Sequence, residues 1–300
     1  MRKGIIAGLG AFILWGVFPI YWKLLKVVPA YEILNHRIVW SLIFLIFIVA
    51  FTNRKGWIKI FCGDNRNRLI YIVSSVTLAL NWFVFIWAVN SNYIVEASLG
   101  YFLNPLINVV LGVLLLKEKL RFCQWCSVSI AGIAVLYLTV GYGSFPFIAL
   151  TLAFSFAFYG YLKKIGNLNS VDSLTFETSV LFIPALIYLI ITEVNGTGSF
   201  IHSGIFISSL LALGGVVTTV PLLLFVMAAR RLPLSTVGIL QYIAPITQFL
   251  LGAFIFGEEV PASRLIGFIL IWIALILYTA EGLIYNRNKV IKQTDNLAEQ

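Results

Sequence analysis

The sequence is short of the groups that water-facing chemistry draws on. Twelve acidic residues, three cysteines and two histidines are spread over 300 positions, and charged residues of either sign make up only 11%. His36 and His202 stand alone, with no HExxH pair and no serine-nucleophile motif near them, so an enzyme finds neither a catalytic set nor a metal site. No GxxxxGK[ST] loop occurs, which excludes a pump driven directly by ATP. Cys62, Cys123 and Cys126 fall in loops or at segment ends, and the "CQWC" pair lacks the βαβ setting of a redox motif or the two further ligands of a zinc site. The closing stretch "NRNKVIKQTDNLAEQ" is too short and polar for a soluble output domain. The net charge of +9 forms no extended basic patch with interleaved aromatics, so nucleic acid is not an expected partner.

What fills the sequence is hydrocarbon. Apolar residues account for 60% and the mean hydropathy is +0.97, outside the range of soluble domains. Runs long enough to cross about 30 Å of hydrocarbon as a helix recur throughout. Ten are read, over 4–22, 32–52, 69–90, 97–117, 122–140, 145–163, 174–192, 205–229, 235–256 and 262–284. They are continuously apolar, unlike the alternating short strands of an outer-membrane barrel, so the expected class is an all-α polytopic membrane protein. The first run follows Arg2 and Lys3 but continues through "LWGVFPIYW" without a small-x-small cleavage site, and is read as a retained helix.

The basic residues orient the chain. With both termini inside, the cytoplasmic segments hold seventeen: Arg2, Lys3, Arg54, Lys55, Lys59, Arg66, Arg68, Lys117, Lys119, Arg121, Lys163, Lys164, Arg230, Arg231, Arg287, Lys289 and Lys292. The outer side holds four, Lys23, Lys26, Arg37 and Arg264. That bias predicts a multi-pass protein of the cell membrane with N- and C-termini cytoplasmic.

The chain repeats itself. Adding 140 to a residue number in the first half lands on a related residue in the second: Lys23 on Lys163, Glu32 on Asp172, Phe85 on Phe225, Pro105 on Pro245, Gly112 on Gly252, Glu118 on Glu258. The expected units are 4–140 and 144–284, followed by a cytoplasmic tail at 285–300. A repeat of five helices enters the membrane from opposite sides in its two copies, and inverted repeats give a transporter two pseudo-equivalent conformations with a site near the midplane.

Polar residues inside the apolar runs need hydrogen-bond partners, so their positions carry information. Tyr101, Asn104, Asn108 and Gly112 follow at helical spacing on one face of the fourth span, and Gln241, Gln248 and Gly252 repeat the pattern in the ninth. Asn81 and Thr77 in the third span, Ser155 in the sixth, Thr218 and Pro221 in the eighth, and the aromatic Trp15 add to the candidate lining of a solute cavity. The competing reading is that amides and small residues hold helices together. Pro105 and Pro245 each remove a backbone donor and are candidate helix breaks. Glu32, His36 and Arg37 read as an ion-paired cluster, and with Glu96 and Glu177 they complete the gating candidates. Ionisable groups are missing from the span centres, which does not favour tight proton coupling.

The strings "YEILNHRIVWS", "NWFVFIWAVN", "EASLGYFLNPLINVVLG" with "KEKLRFCQW", and "LPLSTVGILQYIAPITQFLLGAFIFGEE" together resemble the EamA branch of the drug/metabolite transporter superfamily, over essentially the whole chain. The resemblance implies ten helices in two inverted repeats and export of small metabolites or drugs from a bacterial cytoplasm. It carries Glu96 to Tyr101, Asn104 and Pro105 onto family motif positions, and Glu177 onto one expected to help close the cytoplasmic side. The expectation is therefore a secondary transporter without ATP, cofactor or metal, whose partners are the lipid bilayer, a small solute and, optionally, a second copy of itself as a homodimer. A channel-like facilitator or a non-transporting scaffold is the alternative.

Overall fold

The computed structural model describes residues 2–52, 56–60, 65–91, 93–140, 145–255 and 262–298; some side chains within these stretches, that of Glu96 among them, lie outside the description. The elements are α1 (Arg2–Leu24), α2 (Ala30–Thr52), the short α3 (Gly56–Lys59), α4 (Asn65–Asn90), α5 (Ile94–Leu116), α6 (Phe122–Val140), α7 (Phe147–Ile165), α8 (Ser170–Val194), the short α9 (Ser199–His202), α10 (Ile205–Arg231), α11 (Leu234–Gln241), α12 (Ile243–Leu250) and α13 (Ala262–Ala298). No strand occurs among the described residues. Hydrocarbon offers the backbone no partner, so each crossing satisfies its amides internally as a helix.

Nine of these helices are uninterrupted and apolar over a membrane-spanning length. The tenth crossing is in pieces. Its turn at Tyr242 separates α11 from α12, and a π-helical turn at Leu251–Ile255 follows. Pro245 explains the first break: without an N–H it cannot bond the Gln241 carbonyl, and it sits in the first turn of α12, where a missing donor costs nothing. Pro105 behaves differently from the expectation. It lies inside α5, which runs through it unbroken. Beyond its apolar crossing α13 continues as a helix to Ala298.

Like helices from the two halves meet. Phe102 and Tyr242, equivalent under the offset of 140, touch through a hydrogen bond from Tyr242 Oη to the Phe102 carbonyl at 3.3 Å. On one side of that contact Asn108 of α5 bonds Gln241 of α11, and further along Glu118 bonds the start of α11 at Leu234, so the two helices run antiparallel. Residues 131 and 271, again equivalent, share one core cluster where α6 meets α13. That pair is antiparallel too, with Leu138 against Gly267 at one end and Arg121 against Glu281 at the other. The remaining contacts exchange in the same manner: α1 packs on α10 and α12 as α7 packs on α4 and α5. Two copies of one helix can cross antiparallel only about an axis perpendicular to them, which in a membrane lies in its plane. The ten crossings thus form two inverted five-helix repeats.

Small residues let the copies approach. Gly238 has the Pro105 carbonyl oxygen 2.5 Å from where a Cβ would stand, and Gly215 has the Trp40 backbone at 2.4 Å. Such contact through backbone and small side chains is what drives helix association where lipid removes the hydrophobic gain.

Candidate functional site

Call the side of the bundle that holds Arg2 the near side. Toward the far side, Arg37 of α2 sits among α1, α4, α5 and α10. Its Nε donates to Thr218 Oγ1 at 2.8 Å, and its guanidinium lies over the rings of Trp22 at 5.0 Å and Trp82 at 5.2 Å. Tyr21 and Tyr101 are within electrostatic reach. Tyr101 keeps 48% of its surface exposed and Arg37 is partly buried, and we read both as bordering an opening of the bundle. Arg37 takes no part in the cluster expected with Glu32. That carboxylate accepts from the backbone N and Oγ of Ser199, capping α9, and stands 3.7 Å from His36 Nε2. The His36 ring stacks on Phe200 at 5.0 Å.

Beneath this opening is a floor of rings. Trp15 contacts Phe12, Phe156 and Phe225, each at 5.7 Å between centroids, and Tyr159 stacks on Phe225 at 6.1 Å. The amides around the floor are engaged with neighbouring helices. Asn81 Nδ2 donates to the Leu152 carbonyl at 2.9 Å and to Ser155 Oγ at 3.0 Å, tying α4 to α7. Asn104 reaches the Ala153 carbonyl at 2.9 Å, and Asn108, fully buried, donates to Asn104 Oδ1 at 3.0 Å and to Gln241 Oε1. Gln248 instead donates to the Trp15 carbonyl at 3.1 Å. The pseudo-symmetric Asn108 and Gln248 therefore point to different helices, Asn108 into the seam with α11 and Gln248 onto α1.

On the near side a buried ion pair ties α7 to α8. Lys163 of α7 bonds Glu177 of α8; Tyr159 Oη donates to the same carboxylate at 3.3 Å, and Lys163 Nζ also donates to Ser173 Oγ at 3.1 Å. The two charges are 1% and 0% exposed. The Tyr159 and Tyr71 rings flank the ammonium at 5.0 and 5.8 Å, and Tyr71 Oη accepts from Leu168 N at 2.6 Å, joining the halves. Charge position alone places Lys163 among the cytoplasmic segments, and spacing gives no signal at Tyr71. The available signal was Glu177 itself: an acid inside a span requires a counter-charge.

Glu118 has a role that spacing alone concealed. Its carboxylate accepts from Leu234 N at 2.6 Å, Ser235 N at 3.0 Å and Ser235 Oγ at 2.7 Å, so it caps α11 from another helix. The geometry comes from Gly112 and Lys117. Lys117 ends α5 in the left-handed region (φ 54°) and Glu118 N returns to the Gly112 carbonyl at 3.0 Å, while a Cβ on Gly112 would stand 2.7 Å from Glu118 Oε2. Glu258, the counterpart in the second half, lies outside the described residues, as does the Glu96 side chain.

Some positions equivalent in sequence differ in exposure, whereas Glu32 and Asp172 are both buried. Lys23 is exposed and Lys163 is buried; Arg37 is partly buried and Glu177 fully buried; Tyr101 is 48% and Gln241 8% exposed. In each of these three pairs the first-half member is the more exposed.

The EamA-like transporter family matches this chain twice, over residues 2–140 and 144–280. Protein RarD of Streptomyces exfoliatus is 45% identical over 94% of the chain and 90% of its own length. The uncharacterized transporter YojE of Bacillus subtilis is 45% identical over 93% and 94%, and Protein RarD of Escherichia coli 40% over 97% and 98%. A protein of known crystal structure, 16% identical, superposes with a TM-score of 0.70 over 93% of this chain and 98% of that one, a likeness of fold.

Proposed function

Because the chain belongs to the EamA-like transporter family, a family of membrane transporters, we propose that it moves a small solute across the cell membrane by alternating access, without ATP, and in the outward direction. The observation that carries this reading is the inequality of equivalent positions. Two copies of one fold stand in two conformations, open around Arg37 and Tyr101 and closed around Lys163 and Glu177, and exchanging those conformations moves the opening from one side to the other. The near side, rich in Lys and Arg, is taken as cytoplasmic, so the state described here faces outward. A fixed pore or a scaffold has no use for unequal copies.

Spin labels test this without knowledge of the solute. Asn65 and Asn167 are exposed on the near side, and their counterparts at the repeat offset, Ile205 and Val27, are exposed on the far side. Pulsed dipolar distances in reconstituted protein are expected to be reciprocal: populations with a short near-side distance have a long far-side one, and the converse. One invariant distribution at both mouths, whatever the lipid, ion or solute supplied, would favour the scaffold or pore.

A further inference from the structure

We propose that Arg37 receives the acidic group of the carried solute, which makes the cargo an organic anion, a carboxylate or phosphate ester on a flat apolar body. This deepens the transport reading and rests on it. A buried cation is stabilised by a counter-charge or by carbonyls, and the fully buried Lys163 has Glu177. Among the described residues no carboxylate lies within ion-pair distance of Arg37. Glu32, one turn away on the same helix, is committed to Ser199 and His36. The repeat sharpens the point, because the position equivalent to Arg37 is Glu177. At that position one copy holds an acid balanced within the chain, and the other holds a base with no acid beside it among the described residues.

The guanidinium is also held as a receptor would be. Thr218, itself 1% exposed, takes Nε, and the Trp22 and Trp82 rings take the cation over their faces. These contacts fix the plane and leave the Nη donors, whose fork matches a carboxylate or phosphate, without a bond among the described residues. Tyr21 is pinned by its bond to the Leu210 carbonyl, whereas Tyr101 stands open beside the site. The ring floor of Trp15, Phe156 and Phe225 then suits the apolar part of the solute.

The test is binding to the purified full chain in nanodiscs, read by tryptophan fluorescence and thermal shift, with 3-phenylpropionate, phenyl phosphate and 3-phenylpropionamide as probes. At least one anion is expected to bind saturably, with the neutral amide about tenfold weaker or more, the value of a charge-assisted bond. Arg37→Gln is expected to remove that preference by lowering anion affinity about tenfold without changing amide affinity, and Arg37→Lys, which keeps the charge but not the fork, to give an intermediate loss. Three results overturn the proposal: no anion binding, equal binding of the amide, or unchanged anion affinity in Arg37→Gln. So does anion binding that emerges only in Glu96→Gln, which would assign the counter-charge to Glu96. If Arg37→Gln does not fold, Arg37→Lys decides by the same criterion. Binding together with invariant distances at both mouths would remove alternating access and leave the anion site; reciprocal distances without binding would do the reverse.

Discussion

At the scale of single residues, what distinguishes the polar groups of this bundle is whether the chain completes them. Lys163 and Glu177 complete each other. Lys163→Met strands a carboxylate that is 0% exposed, and the expected loss is about 3–5 kcal/mol of stability, whereas adding Glu177→Leu should restore most of it. Melting of the two single variants and the double variant in detergent checks this, and additive losses would mean the pair is not coupled. Asn108 is completed as well. Asn108→Leu leaves Gln241 Oε1 and Asn104 Oδ1 buried without their donor, for an expected cost of about 1–3 kcal/mol. Its effect should therefore be read in the melting temperature. Unchanged melting with weakened probe binding would instead make Asn108 a solute contact.

Helices and their ends carry the next level. In the first half the Gly112–Glu118 stretch works as a joint between elements: Gly112 clears the space, the left-handed Lys117 turns the chain, and Glu118 caps α11. Glu118→Gln should cost about 1 kcal/mol through the lost charge at a helix start. Gly112→Ala should displace the same carboxylate, and its cost should shrink in a Glu118→Ala background. Equal cost in both backgrounds would mean that Gly112 serves packing alone. The prolines divide. Pro245→Ala restores the donor that Gln241 lacks and should extend protection from hydrogen exchange across Tyr242, joining α11 to α12, while Pro105→Ala should leave α5 as it is. Unaltered exchange at Tyr242 in Pro245→Ala would assign the break to tertiary packing.

For the whole molecule, the axis that relates the halves sets what can move. Equivalent helices meet antiparallel at Phe102 with Tyr242 and at residues 131 with 271, so these seams can serve as pivots while the bundle ends open and close. The orientation in the membrane is a separate expectation. Single cysteines at Val27, Thr197 and Ile205, in a background without Cys62, Cys123 and Cys126, should react in intact cells with an impermeant thiol reagent, and ones at Asn65 and Asn167 should not. Reaction at Asn167 from outside would invert the topology and with it the assignment of the open side.

Much of the architecture could be read directly from the chain. Lipid demands long apolar helices, so composition and run length expose the crossings. A duplicated chain keeps its repeat offset, so Pro105 with Pro245 and Gly112 with Gly252 expose the inverted pair. Residue type also marked the polar positions, because a buried amide is rare in hydrocarbon. Their partners were decided by the tertiary structure. Spacing placed Tyr101, Asn104 and Asn108 on one face of α5, but that face meets an opening at Tyr101, α7 at Asn104 and α11 at Asn108. It grouped Arg37 with Glu32, yet a bond to Thr218, distant in sequence, separates them. It set Lys163 among loop charges, though the fold buries it against Glu177. Helical period determines which way a side chain points; what it meets there, and whether its charge is balanced, depends on how ten helices close around a twofold, which is a property of contacts between segments far apart in the chain.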